Sequence, residues 1–349
     1  MQRLGVQCSG GPIRYSIRWS RRIASFASTA AKTATLQPSF SSREVLTDKH
    51  NRFHGYLRIS LTERCNLRCV YCMPEDGVSL TPNDKLLTLA ERKRLIDVFA
   101  GLGVTKLRFT GGEPTVSKQL VELVQHARDI GTIKSIGITT NGLNLKNRFA
   151  LNSAAARFMG ADGDQQTLLD ALIASGMTNV NISLDTLDED KFATITRRDK
   201  GGLARTLSAI YYAASKLSTS SSSGDSNLRS VKVNCVLMRG INDCEVAAFV
   251  GLARELPIDV RFIELMPFSG NRWEREKFVP YTEVVEGLEN AHGIQLAKWL
   301  PFEGGSSSSS VRHDVDSSDT TKWYSLRGGA GRVGFITSMT SHFCSSCNR

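Results

Sequence analysis

Three cysteines, Cys65, Cys69 and Cys72, stand four and then three residues apart in the run Cys65-Asn66-Leu67-Arg68-Cys69-Val70-Tyr71-Cys72. A short loop with that spacing can turn three sulfurs toward one region. Thiolates are soft ligands that favour iron–sulfur clusters, zinc or Cu(I). Three of them can hold three irons of a 4Fe–4S cube and leave the fourth iron without a protein ligand. An open position is what metal chemistry needs and a structural site avoids. A zinc loop with its fourth ligand elsewhere is the other reading of the spacing. A second pair, Cys344 and Cys347, is spaced CxxC; such a pair serves a cluster, half of a zinc site or a redox couple. Five of the eight cysteines fall in these two groups, a pattern of metal sites rather than of a disulfide framework. Cys8 and Cys244 stand apart, and Cys235 reads as a core residue on a strand.

Such a loop needs rigid elements to hold it. Strand-like runs at Tyr56–Leu61, Lys106–Thr110, Ser135–Thr139, Val180–Leu184, Val231–Leu237 and Val260–Ile263 alternate with helical patterns. Thr88-Leu89-Ala90-Glu91 is a capping-box signature. The helix it opens is expected to turn Leu95, Ile96, Phe99 and Leu102 inward and to stop near Gly101 or Gly103. Apolar stripes follow at Leu120, Leu123, Val124 and Ala127; at Leu168, Leu169, Leu172 and Ile173; at Leu203, Leu207, Ile210, Ala214 and Leu217; and at Val246, Val250, Ala253 and Leu256. Six βα-type units in a row imply a parallel sheet, and right-handed crossovers curl it. Six strands are too few to close, so the expectation is a partial, open (β/α)6 TIM-like barrel over residues 50–267. Residues 144–166 read as an enlarged loop, 218–227 as a low-complexity tip and 303–321 as an insertion needing no fixed structure. Tyr281–Leu288 reads as a helix. Lys322–Leu326 and Gly331–Ile336 read as strands of a small α+β cap, residues 268–349, over the barrel mouth.

The other polar motifs take their meaning from this frame. Gly111-Gly112-Glu113-Pro114 follows the second strand, Thr139-Thr140-Asn141-Gly142 the third, Asn181-Ile182-Ser183-Leu184-Asp185 the fourth and Arg261 to Pro267 the sixth. All fall at carboxyl ends of strands, where barrels of this kind place their active sites. Arg58, Arg108 and Lys232 lie within strands one, two and five. Charge inside a strand flanked by apolar residues makes sense if it points into a wet lumen. Arginine forks grip phosphate oxygens in pairs and lysine acts as a point charge, whereas any one of these residues alone could serve an ordinary salt bridge.

The CxxxCxxC loop with an aromatic residue before its third cysteine resembles the radical S-adenosylmethionine (SAM) superfamily. Together with the four motifs above and the ending Cys344-Ser345-Ser346-Cys347-Asn348-Arg349, it resembles the GTP 3′,8-cyclase family over roughly residues 50–349. That resemblance implies a 4Fe–4S cluster on Cys65, Cys69 and Cys72, with SAM on its open iron. It places Tyr71, Gly112, Glu113, Ser183, Asp185 and Met266 against SAM, with Glu113 accepting from the ligand's amino group. Arg58, Arg108, Lys232, Arg349 and one of Thr139 and Thr140 would face GTP. The reaction implied is abstraction of hydrogen from the ribose C3′ by a 5′-deoxyadenosyl radical, then attack of the carbon radical on C8 of guanine. The product would feed cyclic pyranopterin monophosphate synthase; an electron donor and a homodimer also belong to the expected setting. A second 4Fe–4S cluster would use Cys344, Cys347 and a third cysteine, which the family pattern places after the final arginine of this sequence. A peptide-modifying relative and an inactive iron–sulfur or zinc protein are the alternative readings.

Composition narrows the setting. Of 44 basic residues, seven (Arg3, Arg14, Arg18, Arg21, Arg22, Lys32 and Arg43) lie in residues 1–43, which hold no acid. The remaining 37 against 34 acidic residues leave a balance of +3 out of +10, a poor footprint for a nucleic acid. If helical, the leader sets Arg14, Arg18 and Arg21 beside an apolar face of Tyr15, Trp19, Ile23 and Phe26. It reads as a mitochondrial transit peptide directing the chain to the matrix. No apolar run reaches the ~18 residues of a membrane span.

Overall fold

The computed structural model describes residues 42–149, 166–217, 228–267, 274–299, 319–341 and 347. The leader to residue 41, most of the enlarged loop, the 218–227 tip, nearly all of the 303–321 insertion, Cys344 and Arg349 lie outside the described residues.

Among the described residues nine strands form one sheet: β1 (Tyr56–Ser60), β2 (Lys106–Thr110), β3 (Ser135–Thr140), β4 (Asn179–Ser183), β5 (Ser230–Leu237), β6 (Asp259–Glu264), β7 (Leu296–Lys298), β8 (Lys322–Leu326) and β9 (Arg332–Ile336). Their spatial order is β1-β2-β3-β4-β5-β6-β9-β8-β7. The first six pair in parallel and in sequence order. β1 and β7 are the two edges of this order, so the barrel is partial and open. β9 adds in parallel to β6, and β8 and β7 return antiparallel. The carboxyl-terminal strands therefore extend the sheet of the barrel. β7, three residues long, has too little pattern to be read from sequence.

The helices are α1 (Ser42–Val45), α2 (Leu89–Gly101), α3 (Leu120–Asp129), α4 (Leu168–Ala174), α5 (Glu189–Thr196), α6 (Gly201–Ser215), α7 (Val246–Glu255) and α8 (Tyr281–His292). The Thr88–Glu91 capping box starts α2. Its buried stripe is Arg92, Ile96 and Ala100, and Leu95 is exposed, a correction to the expected face. The helix is rotated because Arg92 turns inward, donating to the Leu61 carbonyl (3.1 Å) and to Gln119 (2.7 Å). α5 escaped the periodicity reading; the signal for it is the N-cap Asp188 ahead of Glu189 and Asp190, acids that suit the positive end of a helix.

Each strand has two faces of opposite character, as the period-two geometry of a strand requires. Ile59, Leu107, Phe109, Ile136, Ile138, Val180, Ile182, Val231, Val233, Cys235, Val260, Phe262, Val333 and Phe335 join one buried core with the helices. Phe262 stacks on Phe335 with ring centroids 5.7 Å apart and meets Phe249 edge-on at 6.2 Å. Burying each such ring contributes about 1.5–3 kcal/mol. This apolar face fixes register, since a one-residue slip would turn it into the lumen. The other face carries Arg58, Arg108, Thr139, Asn181, Lys232, Asp259, Arg261 and Arg332.

Candidate active site

The cysteine loop follows β1 at the carboxyl end of the sheet. Its backbone is tied to the end of α5: Arg68 N donates to Thr196 O and Val70 N to Ile195 O, each at 2.9 Å. Arg197, in the left-handed conformation with φ 52°, ends that helix and donates to the carbonyls of Arg68 (3.3 Å) and Met73 (3.2 Å). Asn141, from the end of β3, donates to the Asn66 side chain at 2.6 Å. Arg68 folds back on the carbonyls of Cys65 and Leu67. Five residues from three elements thus hold the loop open before any ligand arrives.

Cys65, Cys69 and Cys72 are free thiols. Burial pushes all three up from the ordinary thiol range, Cys69 furthest, and the Asp185 carboxylate adds to the effect on Cys69 and Cys72. Such thiols give up their protons when a cation takes their place. Leu67 N also donates to the Cys65 sulfur at 3.4 Å, a contact that tunes cluster thiolates. Among the described residues no three His, Cys, Asp or Glu side chains close on one point as a single-ion site would. A cube offers a separate iron to each thiolate, so this donor set fits a 4Fe–4S cluster.

Tyr71 connects the loop to β4. Its hydroxyl donates to Asp185 at 2.7 Å, and Val236 N donates to the other Asp185 oxygen at 2.8 Å. Burial raises the Asp185 carboxyl to about 6 and lifts the Tyr71 phenol far above its usual range. Beneath them, fully buried Asn242 donates to the Asp185 and Val236 carbonyls (2.6 and 2.9 Å) and accepts from Met238 N (2.7 Å). Ser183 and Met266, at the ends of β4 and β6, are partly exposed at this rim.

The Gly-Gly-Glu-Pro turn packs closely against the chain's own backbone. A Cβ on Gly111 (φ +147°) would lie 2.5 Å from Thr62 O, and one on Gly112 2.4 Å from Arg64 O. The glycines admit the chain's own segment leading into the cysteine loop, where ligand approach was expected of them. Glu113 is 1% exposed. Its carboxylate accepts from Thr115 N (3.0 Å) and Oγ1 (2.5 Å), Thr140 Oγ1 (2.6 Å) and Asn141 N (2.8 Å). Through these four bonds Glu113 ties the turn after β2 to the end of β3. The structure also separates the two threonines. Thr140 is committed to Glu113, while Thr139 faces the lumen and accepts from Arg108 Nη1 at 3.4 Å.

In the lumen, register lines up Arg58 with Arg108, and Thr139 with Asn181, Lys232, Asp259 and Arg332. Arg58, Lys106 and Arg108 surround the Tyr56 ring, 5.2, 4.8 and 5.9 Å from its centroid. Burial would raise that phenol, but the three cations more than offset it and pull it below its usual value. On the other side Arg332 forks onto Asp259 at 3.0 and 2.9 Å, and Lys232 lies 3.8 Å from the same carboxylate. Trp323 covers this group, 5.3 Å from Lys232 and 4.3 Å from Arg332. Asp319 accepts from Trp323 Nε1 (3.0 Å) and Thr321. Burial would raise Asp319, yet Lys232 and Arg261 beside it bring it down to about 2. Arg261 donates to Asn234 at 2.9 Å. Asp259, Arg261, Arg332 and Asp319 were given no part by sequence; only Arg261 lay in a motif.

At the end of β6, buried Glu264 accepts from Met339 N (2.7 Å), Thr340 N (2.9 Å), Tyr281 N (3.2 Å) and the Thr340 hydroxyl. It ties the segment after β9 to the rim. Cys347 is partly buried.

An open parallel barrel with three free thiols at its carboxyl rim and a cation-rich lumen below defines a cluster-bearing α/β protein. Residues 59–253 match the profile of the radical SAM superfamily, and residues 258–349 that of Molybdenum Cofactor Synthesis C. The chain belongs to the radical SAM superfamily and, within it, to the family of GTP 3′,8-cyclase and molybdenum cofactor biosynthesis protein 1. It is 42% identical to molybdenum cofactor biosynthesis protein 1 of Dictyostelium discoideum over 91% of this chain and 44% of that one. It is 42% identical to the mitochondrial GTP 3′,8-cyclase of Arabidopsis thaliana (88% and 66%) and 40% identical to the GTP 3′,8-cyclase of Pelotomaculum thermopropionicum (87% and 80%). The chain spans about half the length of several curated relatives it matches. The family implies a 4Fe–4S cluster and SAM.

Proposed function

We propose that the protein is a radical SAM GTP 3′,8-cyclase, converting GTP to 3′,8-cyclo-7,8-dihydro-GTP in the first step of molybdenum cofactor biosynthesis. The observation that carries this reading is the pairing of the clamped cysteine loop with a lumen lined by Arg58, Arg108, Lys232 and Arg261. A triphosphate needs several cations at once, and those buried in the lumen, Arg108 and Arg261 among them, are each worth more than in water. The names of relatives such as the Arabidopsis and Pelotomaculum proteins support the same substrate.

Cys65, Cys69 and Cys72 hold the cluster, which with bound SAM supplies one-electron cleavage of the sulfonium. Tyr71 and Asp185 fix the loop beneath it. Ser183 and Met266 at the rim, with the Gly112 backbone, line the SAM side. Arg58, Arg108 and Lys232 hold the phosphates, Thr139 adds a hydroxyl, and Arg349 joins them from the carboxyl-terminal segment. Trp323 keeps water from the far side of the lumen. Cys344 and Cys347 contribute to a second cluster, a reading supported by the way Glu264 ties residues 339 and 340 to the rim. The acid-free leader and the mitochondrial Arabidopsis relative support residence in the mitochondrial matrix. There the product passes to cyclic pyranopterin monophosphate synthase, and an electron donor serves the cluster.

Full-length protein reconstituted anaerobically is expected to be brown and, with SAM, GTP and dithionite, to yield 5′-deoxyadenosine and a cyclised guanine product. Cys69→Ala is expected to lose the iron of one cluster and all SAM cleavage. A colourless protein that retains zinc, or SAM cleavage without any product from GTP, would overturn the assignment.

A further inference from the structure

Most polar side chains of the lumen are satisfied by their own chain. Asn179 donates to Ser135 (2.8 Å) and Thr178 (2.7 Å), Asn234 accepts from Arg261, and Thr139 accepts from Arg108. Asn181 differs. It is 4% exposed, and its carboxamide oxygen is buried with no hydrogen-bond donor among the described residues. Leaving such an acceptor unmade costs about 1–3 kcal/mol. A leucine of nearly the same shape would avoid that cost, as Val180 and Ile182 do on the opposite face of the strand. The register sets Asn181 directly between Thr139 and Lys232, in the middle of the proposed nucleotide site.

We infer that Asn181 selects the sugar: its carboxamide oxygen accepts a hydrogen bond from a ribose hydroxyl of the bound nucleotide. The inference rests on the reading of the lumen as a GTP site. The unmet group is an acceptor, so its partner must be a donor. An ionised triphosphate has none, which excludes the phosphates. Height in the barrel separates what remains. Arg58 and Arg108 lie one pleat toward the amino ends of the strands, about 7 Å away along a strand, and Asp185 beneath the cysteine loop lies four residues the other way, about 13 Å. With phosphates on Arg58 and Arg108, one pleat lower, and on Lys232, the register partner of Asn181, the adjoining sugar comes level with Asn181. The base then reaches onward toward the rim. A site built to bind a hydroxyl discriminates strongly against the analogue lacking it, because its own polar group is then left unpaired.

The test measures binding of GTP, 2′-deoxy-GTP and 3′-deoxy-GTP to the reconstituted full-length protein without SAM, so that no turnover intervenes. Wild type is expected to bind one of the two deoxynucleotides about tenfold more weakly than GTP, and which one identifies the hydroxyl. Asn181→Leu is expected to weaken GTP by about the same factor and to bind GTP and that deoxynucleotide alike. Ligand-free Asn181→Leu should melt no lower than wild type, since it removes an unmet polar group; Asn181→Ala repeats the affinity comparison should leucine not be accommodated. A GTP-to-deoxy ratio unchanged by substitution, or no discrimination in wild type, overturns the inference alone. Failure of wild type to bind GTP while it binds SAM overturns the underlying reading as well.

Discussion

The cysteine loop and the Lys232–Asp259–Arg332 side of the lumen are both buried polar regions, held together in opposite ways. The loop is fixed by hydrogen bonds rather than ion pairs: its amides donate to the end of α5, Arg197 donates to its carbonyls and Asn141 to the Asn66 side chain. Its charge is deferred, since thiols are protonated at neutral pH and desolvation pushes these three further up. The lumen carries its charges at neutral pH, and its Asp259 carboxylate is compensated across the sheet by residues distant in sequence. Asp259 and Arg332 are 73 residues apart yet directly opposed in the register. One region is therefore a preformed cradle for a cofactor. The other is an ion network in which cations outnumber carboxylates.

Removing Asp259 should break the second region most severely. The Arg332 and Asp259 side chains are each 5% exposed, and a buried ion left without its partner costs about 3–5 kcal/mol. Asp259→Ala is expected to lower unfolding free energy by that amount in denaturant titrations. The double variant Asp259→Leu with Arg332→Met should recover most of it, because a well-packed apolar pair replaces a buried ion pair at little cost. A single variant as stable as wild type would mean that Trp299 and Trp323, 4.6 and 4.3 Å from Arg332, suffice to hold the guanidinium.

The same contrast explains what sequence could reveal. Spacing exposes local devices: the CxxxCxxC loop, the Thr88 capping box and the six parallel strands all depend on residues close together in the chain. The Arg332 partner of Asp259 could not be read that way, because β9 inserts beside β6 only after the whole of α8, β7 and β8 have been traversed. Glu113 and the two glycines were legible as a site, but their contacts within the chain were not. The sequence cannot show that Thr62 and Arg64 occupy the space beside Gly111 and Gly112. Leu95 was misplaced because a periodicity argument gives arginine to solvent, whereas the carbonyl of Leu61 and the amide of Gln119 draw Arg92 inside.

A gentler probe of the lumen is its response to pH. Burial lowers the Lys232 ammonium from its ordinary 10.5 to about 8. Between those values the unfolded chain binds the proton and the folded chain does not, so stability from this group rises as pH climbs from about 8 toward 10.5. The gain is at most about 3 kcal/mol. Nucleotide affinity should move the other way, falling about tenfold over the same interval as the cation is lost. Lys232→Met is expected to flatten both slopes in paired denaturation and GTP-binding measurements. Wild-type slopes of equal sign would show that another group controls one of them.

The smallest expected effect divides two adjacent hydroxyls between the two regions. Thr140 gives one of four hydrogen bonds received by the buried Glu113 carboxylate, whereas Thr139 accepts from Arg108 in the lumen. Valine has nearly the shape of threonine, so each substitution removes a hydroxyl and little else. Thr140→Val should cost about 1.5 kcal/mol of stability, the low end for a bond to a charged acceptor that keeps its other donors. GTP affinity should then change little. Thr139→Val should weaken GTP by a few-fold, about 0.5–1.5 kcal/mol, with the melting temperature nearly unchanged. If both variants lost stability and neither lost affinity, Thr139 would belong with the scaffold of the cysteine loop, and the boundary between cradle and lumen would lie one residue lower on β3.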